Sequence, residues 1–522
     1  MFRRTTTAAA AAATALLAAA GAAQAASLPP VSTAPSTTTN PYVLPVAPGV
    51  HTRSLLTVGD KVGDYTMVGI PDGLGAFDLR GGNFGLVMNH ELRSSNGAVR
   101  AHGQKGAFVS KWTIDRRTQE VTAGEDLIKP GVKYWDYTAR TYTETSANPA
   151  FSRFCSSTLT DPGQLYDRRT GRGTDAQLYF ANEENGDEGR VFGVTLDGQA
   201  QQLPRLGLAS WENIKPADTG STRTLTVGNE DGGSGQLWVY SGAKRKTGND
   251  FDKAGLTNGV NSVVTVPGVP TDAAFRDKYK VGEEAPFELS NVDWNQTGAA
   301  QNAEGAAEGI GLNRVEDGHW DPRPGHQNDF YLVTTEGSPR PGEPDGADGG
   351  GLWRLRFEDV DHPELGGTLT RLLDGNESWG AGQPLAFKPD NVAIDGDGNL
   401  LIQEDPGNAG HVARILAYNI DTGRRGVVAT FDPAQFTPGK PGFITQDEES
   451  SGIIDAKRFL GRGWFLFDAQ VHKAHPDPAL VEYGQLLTLK VDDFDTIYGG
   501  AGASGDDEGD HAHESRRGKS KD

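Results

Sequence analysis

Six times along the chain, an apolar run closes on the same polar signature: an amide or hydroxyl, one further residue, then an acid. The runs are "LVMNHEL" (86–92), "LYFANEEN" (178–185), "LTVGNEDG" (225–232), "YLVTTEG" (331–337), "LLIQEDPG" (400–407) and, as a variant, "WFLFDAQVH" (464–472). The pairs are Asn89/Glu91, Asn182/Glu184, Asn229/Asp231, Thr334/Glu336, Gln403/Asp405 and Asp468/Gln470. Residues i and i+2 of a strand share a face, so each pair aims both groups at one place. Between the runs lie Gly-rich turn signals such as "TLDGQ", "IDGDGN" and "NIDTGRRG", while long amphipathic helical patterns are scarce. The class is therefore all-β. Several motif intervals approach the blade repeat of about 40–50 residues, and two wider ones call for insertions. The expected fold is a β-propeller, six-bladed, with long inserted loops. With the motif on each blade's innermost strand, the acids would meet at one end of the central channel. They would repel one another there unless cations held them.

Any one of these acids also reads as a turn former after a strand. The set is harder to read that way, because a turn does not need an amide two residues before its acid. Many hard oxygen ligands favour calcium, which takes six to eight. The candidate ligands are Glu91, Glu184, Asp231, Glu336 and Asp405 from the pairs, with the adjacent acids Glu183 and Glu230. Glu316 in "RVEDGHWD" and Asp390 in "FKPDNVAID" join them, and Asp72, Asp317, Asn391, Glu448 and Glu449 form a wider circle. The acids of "IDGDGN" (394–399) read as a turn, since the downstream acid of a helix-loop-helix calcium loop is missing.

The chain has one cysteine, Cys155 in "RFCSSTL", so no intrachain disulfide can form. Cys155 is either a small core residue or a ligand; a thiolate is soft and would select a transition metal, with Glu183 and Glu184 nearby. There are 49 Lys and Arg against 70 Asp and Glu, a net charge of −21. That balance excludes a nucleic-acid partner, whose phosphates need basic groups, and suits a soluble protein that gathers cations. Phosphate-loop, zinc-helix and nucleophile-elbow motifs are absent from the sequence.

The chain ends read separately. Residues 1–26 carry Arg3 and Arg4, an Ala/Leu-rich run and a small-residue cleavage site, the pattern of a secretory signal peptide. Arg3-Arg4 leaves the export route, general or twin-arginine, open. Residues 27–49, rich in Pro, Ser and Thr, read as a flexible linker, 50–498 as the propeller domain, and 499–522 as a disordered polar tail containing His511 and His513. No later apolar run is long enough to span a bilayer. The expected product is secreted or extracytoplasmic, without stable membrane insertion, and a monomer.

Over roughly residues 50–495 the chain resembles the PhoX-type alkaline phosphatases and their close relatives. The likeness is carried by "DGLGAF" with "NHE", "FCSSTL" leading to "NEEN", "LPRLGLASWEN", "KPDNVAIDGDGNLLIQED" and "DEESSGIID". The resemblance implies a secreted bacterial six-bladed propeller whose central site holds calcium and iron(III), with a Cys among the iron ligands, and hydrolyses small phosphomonoesters. The best-known members set that Cys in Asn-Cys-Ala; this chain has Phe154-Cys155-Ser156. Granting the resemblance, Arg314 would clamp a phosphate oxygen; its other reading is an ion pair with Glu316. Two further readings are a calcium-stabilised extracellular propeller that binds a ligand without catalysis, and a metal-dependent lactonase or phosphodiesterase.

Overall fold

The computed structural model describes residues 28–337, 350–375, 378–380, 382–384, 387–407 and 410–499. The signal peptide and the tail beyond 499 lie outside these residues. Among the described residues no helix is long and apolar enough to cross a membrane. The architecture is all-β and propeller-like. Hairpins dominate because short apolar runs alternate with turns whose glycines take left-handed backbone. In "TLDGQ" and "IDGDGN", Gly198 (φ 98°) and Gly398 (φ 82°) make those turns, where a Cβ would be strained.

Six strands form the inner ring, and each touches the next: Pro71–Asp78, Phe154–Leu159, Trp211–Pro216, Val315–Trp320, Pro389–Ile394 and Glu448–Asp455. Each continues outward through an antiparallel meander. The expectation of six separate blades is corrected in one respect. Four sheets are separate, whereas the third and fourth meanders are fused into one nine-stranded sheet. The fusion comes from Glu284–Val292, a long strand that pairs with Val260–Thr265 on one side and Gly367–Asp374 on the other.

Residues 28–49 are not a linker. Val43–Pro45 pairs with Arg425–Phe431, and Val31–Thr33 runs parallel to Val50–Thr57, which itself pairs with Glu482–Val491. The Pro-rich composition misled because proline is tolerated on the edge strands these segments form. The N-terminal segment thus completes the sheet begun by the C-terminal strands and closes the ring. Apolar layers fill the spaces between sheets. Phe77, Phe151, Phe154, Tyr179 and Phe192, for example, pack between the first two.

The recurring motif lies on the second strand of each meander, not the innermost. Asn83–His90, Leu178–Glu183, Arg223–Glu230, Asp329–Thr334, Asn399–Glu404 and Trp464–Ala474 carry it. Its amides stitch neighbours together. Asn89 Nδ2 donates to Cys155 O (2.6 Å), Gln403 Nε2 to Ser451 O (3.2 Å) and Asn229 Nδ2 to Glu316 O, each across to the next inner strand. In the fourth meander Thr335 Oγ1 does this work, donating to Pro389 O at 2.8 Å.

Candidate metal and phosphate site

All six inner strands break register with their neighbours near the same level: at Asp72/Leu74, Phe154/Ser157, Trp211/Asn213, Val315/Gly318, Pro389/Val392 and Ser451/Ile454. A β-bulge re-aims side chains. At or just before each break the chain carries an acid or the cysteine: Asp72, Cys155, Glu212, Glu316, Asp390 and Glu449. The ends of the second strands add Glu91, Glu184, Asp231 and Asp405 around them, and all ten line one mouth of the channel, an opening of about 360 Å³.

Below the breaks, a hydrogen-bonded layer crosses the channel. Ser156 Oγ bonds Asn391 Oδ1 at 2.9 Å, Asn213 Nδ2 bonds Asp317 Oδ1 at 2.9 Å, and Lys215 Nζ lies 3.2 Å from that same Asp317 oxygen. Asp317 and Asn391 therefore floor the mouth rather than line it.

Four overlapping groups of three bring ligand atoms within 4.8 Å of one another: Asp72/Glu91/Cys155, Cys155/Glu184/Glu212, Glu212/Glu316/Asp390 and Asp390/Asp405/Glu449. They share Cys155, Glu212 and Asp390, so they form a chain around the mouth. Eleven carboxyl groups line it against three arginines and one histidine. Burial and mutual repulsion consequently hold protons on the acids. Burial raises Glu184 to about 8, with Glu91 and Asp231 adding to it against Arg153 and Arg314. Burial and Glu449 raise Asp405 to about 7. Asp72, Glu212, Glu316 and Asp390 are all pushed well above the carboxylate range, first by burial and then by neighbouring acids. The Cys155 thiol, 3.4 Å from Asp72 Oδ2, is pushed up by burial and by Asp72 and Glu212. Cations bound among these groups would displace the protons.

The residues fit hard divalent ions. They offer many oxygens, and Glu212 Oε1 is buried with no hydrogen-bond partner among the described residues, a costly arrangement unless something positive satisfies it. Cys155 adds one soft donor, shared by two of the groups, and there a transition metal such as iron fits better than calcium.

Positive side chains cap the mouth. Arg314 takes left-handed backbone (φ 53°), and its guanidinium spans Asp231 (3.2 Å), Glu316 (2.9 Å) and Asp405 (3.8 Å). The ion pair with Glu316 is thus one contact of three. Arg153 reaches Glu91 and Glu184. At His472, burial pulls the pKa down, but hydrogen bonds to Glu449 and Glu482 outweigh it and push it up to about 12.

Three expected ligands stand elsewhere. Glu183 precedes Glu184 on a strand and so faces the opposite way; Arg190 grips it at 2.6 and 2.8 Å, and Ser152 N donates at 3.0 Å. Glu230 is turned from the mouth in the same way, accepting from Trp238 Nε1 at 2.8 Å and Gln236 N at 3.1 Å. Glu336 is half exposed beside Lys388, 3.5 Å away. Alternation along the strand excludes the first two from the mouth. Glu448, from the wider circle, is likewise turned outward from Glu449 and accepts from Ala413 N. Sequence reasoning missed Glu212 as a ligand and Arg153 as a mouth residue. A second repeat could have found Glu212: an acid or Cys followed by a small or polar residue opens Asp72-Gly73, Cys155-Ser156, Glu212-Asn213, Glu316-Asp317 and Asp390-Asn391. A further grouping, Asp321/His326/Asp329, lies outside the channel, where Arg323 and Arg356 already engage its two carboxylates.

No protein-family model matches the chain, and no curated sequence matches it. Among solved structures, it is similar to PhoX of Pseudomonas fluorescens in complex with vanadate, a transition-state analogue. The TM-score is 0.60 at 13% identity, covering 91% of this chain and 99% of that one. A protein of unknown function from Dyadobacter fermentans matches at TM-score 0.39 and 10% identity, over 85% of this chain and 100% of that one. The likeness to PhoX is one of fold alone, at low identity.

Proposed function

We propose that this chain is a secreted, metal-dependent phosphomonoesterase of the PhoX type, built on a propeller-like ring of four separate sheets and one fused nine-stranded sheet. The observation that carries the reading is one channel mouth that joins four linked acid groupings to two inward arginines. A phosphate ester is an anion, and a site crowded with carboxylates takes one only if cations intervene. Asp72, Glu91, Glu184, Glu212, Glu316, Asp390, Asp405 and Glu449 would hold calcium, and Cys155 with its neighbouring acids would hold iron(III). When bound, these ions supply Lewis-acid stabilisation of charge on the transferring phosphoryl group.

The chain's own residues do the rest. The bulged inner strands fix the spacing of the acids, and the Ser156–Asn391 and Asn213–Asp317 layer keeps that spacing rigid from below. Arg314 presents a planar fork of donors that matches two phosphate oxygens. Its left-handed backbone is pinned by Arg314 N to Gly232 O (2.8 Å) and Thr335 N to Arg314 O (3.0 Å), which aims the side chain inward. The PhoX neighbour is in complex with vanadate, a transition-state analogue, which supports this reading.

The test is hydrolysis of p-nitrophenyl phosphate by the full chain. Activity should vanish on chelation and return with calcium, with iron as a further requirement where Cys155 ligates. Absence of hydrolysis in calcium- and iron-loaded protein overturns the reading. The second reading, a ligand-binding propeller without catalysis, draws on Arg314, whose guanidinium is already engaged by three carboxylates.

A further inference from the structure

Arg153 stands where two cation groupings meet. Its Nε lies 2.8 Å from Glu91 Oε1, and its Nη2 is in short contact with Glu184 Oε2. Glu91 belongs to the grouping with Asp72 and Cys155, and Glu184 to the one with Cys155 and Glu212. One guanidinium therefore engages a carboxylate of each grouping, and the two groupings share Cys155. A divalent ion in either grouping would draw on a carboxylate whose charge Arg153 already balances.

The backbone commits Arg153 to this place at a cost. Its φ is 50°, a left-handed conformation that a long side chain rarely adopts. Two hydrogen bonds hold it there: Arg153 N to Leu92 O at 2.9 Å, and Glu184 N to Arg153 O at 2.8 Å. Ile70 (φ 50°) and Arg314 take the same conformation at the corresponding places, two residues before Asp72 and Glu316. Strain kept at three equivalent positions around one mouth marks residues whose direction matters. The Arg153 side chain is nevertheless 30% exposed, and its buried Nε makes no hydrogen bond among the described residues, so its head is held less firmly than its backbone.

We propose that Arg153 is an exchangeable internal cation: it balances Glu91 and Glu184 until divalent ions bind those carboxylates, and the released guanidinium then binds the phosphate group of the substrate. The inference rests on the phosphatase reading for its second half only. Competition with calcium for the two carboxylates stands independently of any hydrolysis. The two halves give opposite signs. Removing the guanidinium removes a competitor of calcium and also a ligand of phosphate.

The experiment uses calorimetric titration of the chelator-treated full chain with calcium, then of the calcium-saturated protein with inorganic phosphate. Arg153→Asn is the main variant, since asparagine is at ease in left-handed backbone. It should bind calcium about tenfold more tightly and phosphate about tenfold more weakly, the size of one charge-assisted hydrogen bond. Arg153→Lys keeps the charge and loses the fork; it should bind calcium nearly as the parent does and phosphate more weakly. Circular dichroism melts confirm that both variants fold, and the lysine variant carries the test should the asparagine one not. Weaker calcium binding in Arg153→Asn overturns the proposal and makes Arg153 a scaffold of the rim. Unchanged affinity for both ligands also overturns it. A parent protein that binds calcium but neither binds nor hydrolyses phosphate esters defeats the phosphatase reading, while the calcium arm still decides the exchange.

Discussion

The same six inner strands end in two different chemistries. Above the bulges the mouth is lined by eleven carboxyl groups, three arginines and one histidine. Below them, the far mouth is lined by Leu74, Leu159, Ile394, Ile453 and Ile454, with Lys215, Lys457 and Arg458 beside Asp161 and Asp455. The lower end thus carries its own counter-ions and an apolar wall. The upper end has far more acid than its own cations can balance, and protons fill the deficit. Packing and paired charges close the lower mouth, whereas the acid excess above has no such balance.

That contrast should break most visibly at Asp390, which belongs to two of the four acid groupings. Asp390→Asn keeps size and removes charge. It should lower phosphomonoester hydrolysis by more than the ~10–100-fold that loss of a ligand's outer partner costs. The control is Asp397→Asn, in the hairpin turn beside Gly398, which should leave both activity and calcium binding at parent levels. Equal losses at the two positions would make the mouth acids ordinary turn residues.

At the floor between the two mouths, Lys215→Met removes the partner 3.2 Å from Asp317 and leaves a buried carboxylate unpaired. The expected cost is about 3–5 kcal/mol of stability, read by denaturant unfolding. Calcium affinity of the folded fraction should stay within about twofold of the parent, since additivity holds for sites without shared partners. A lost calcium response with intact stability would show that the floor belongs to the metal site.

The acid excess also sets a pH dependence. In the folded, chelated protein Glu184 sits at about 8 against an ordinary 4.5, and Asp405 at about 7 against 3.8. Raised carboxyl pKa values mean that the folded state binds more protons than the unfolded one between those limits. Stability is therefore greatest below the unfolded pKa and falls as pH rises toward 8. Calcium, by replacing the protons, should flatten or reverse the slope. Melting temperatures from pH 5 to 9, with and without calcium, read this; a chelated protein that gains stability with pH contradicts it.

The smallest expected effect concerns the seam between the last sheet and the first. Asn89, Asn229, Thr335 and Gln403 donate to the next inner strand, but the last seam has Asp468, whose two oxygens find no donor among the described residues. A Cβ on Gly452 would lie 3.0 Å from Asp468 Oδ2 and 3.2 Å from Asp72 O, so two acceptors share one small space. Burial and Asp72 push the Asp468 pKa well up. Asp468→Asn supplies the missing donor and should stabilise by about 1 kcal/mol, whereas Asn229→Asp should destabilise by at least as much. Denaturant midpoints for the two variants should move in opposite directions.

The all-β class and the convergence of acids were legible because a two-residue period and a repeated motif are local properties. Glu91, Glu184, Asp231 and Asp405 reach the mouth for the reason their spacing gives. Strand alternation, applied to each neighbour, would have turned Glu183 and Glu230 away. What local pattern cannot carry is partnership. Nothing near Glu284–Val292 announces that it fuses two meanders, and Val43–Pro45 becomes a strand only because Arg425–Phe431, far along the chain, offers an edge. Glu212 escaped because its single acid acquires meaning only when the six bulges are aligned. Arg153 escaped because left-handed backbone before a strand leaves no mark in composition.

On this reading the acids of the upper mouth are there to hold cations. The most direct test is the melting temperature of the chelator-treated full chain before and after calcium is added. A ligand at about 100 times its Kd stabilises by ~2.7 kcal/mol per site, so several linked sites should raise the melting temperature by many degrees, and Asp390→Asn should lose most of that rise. An unchanged melting temperature on calcium addition would contradict the account and leave the carboxyl groups of the mouth as a protonated, purely structural ring.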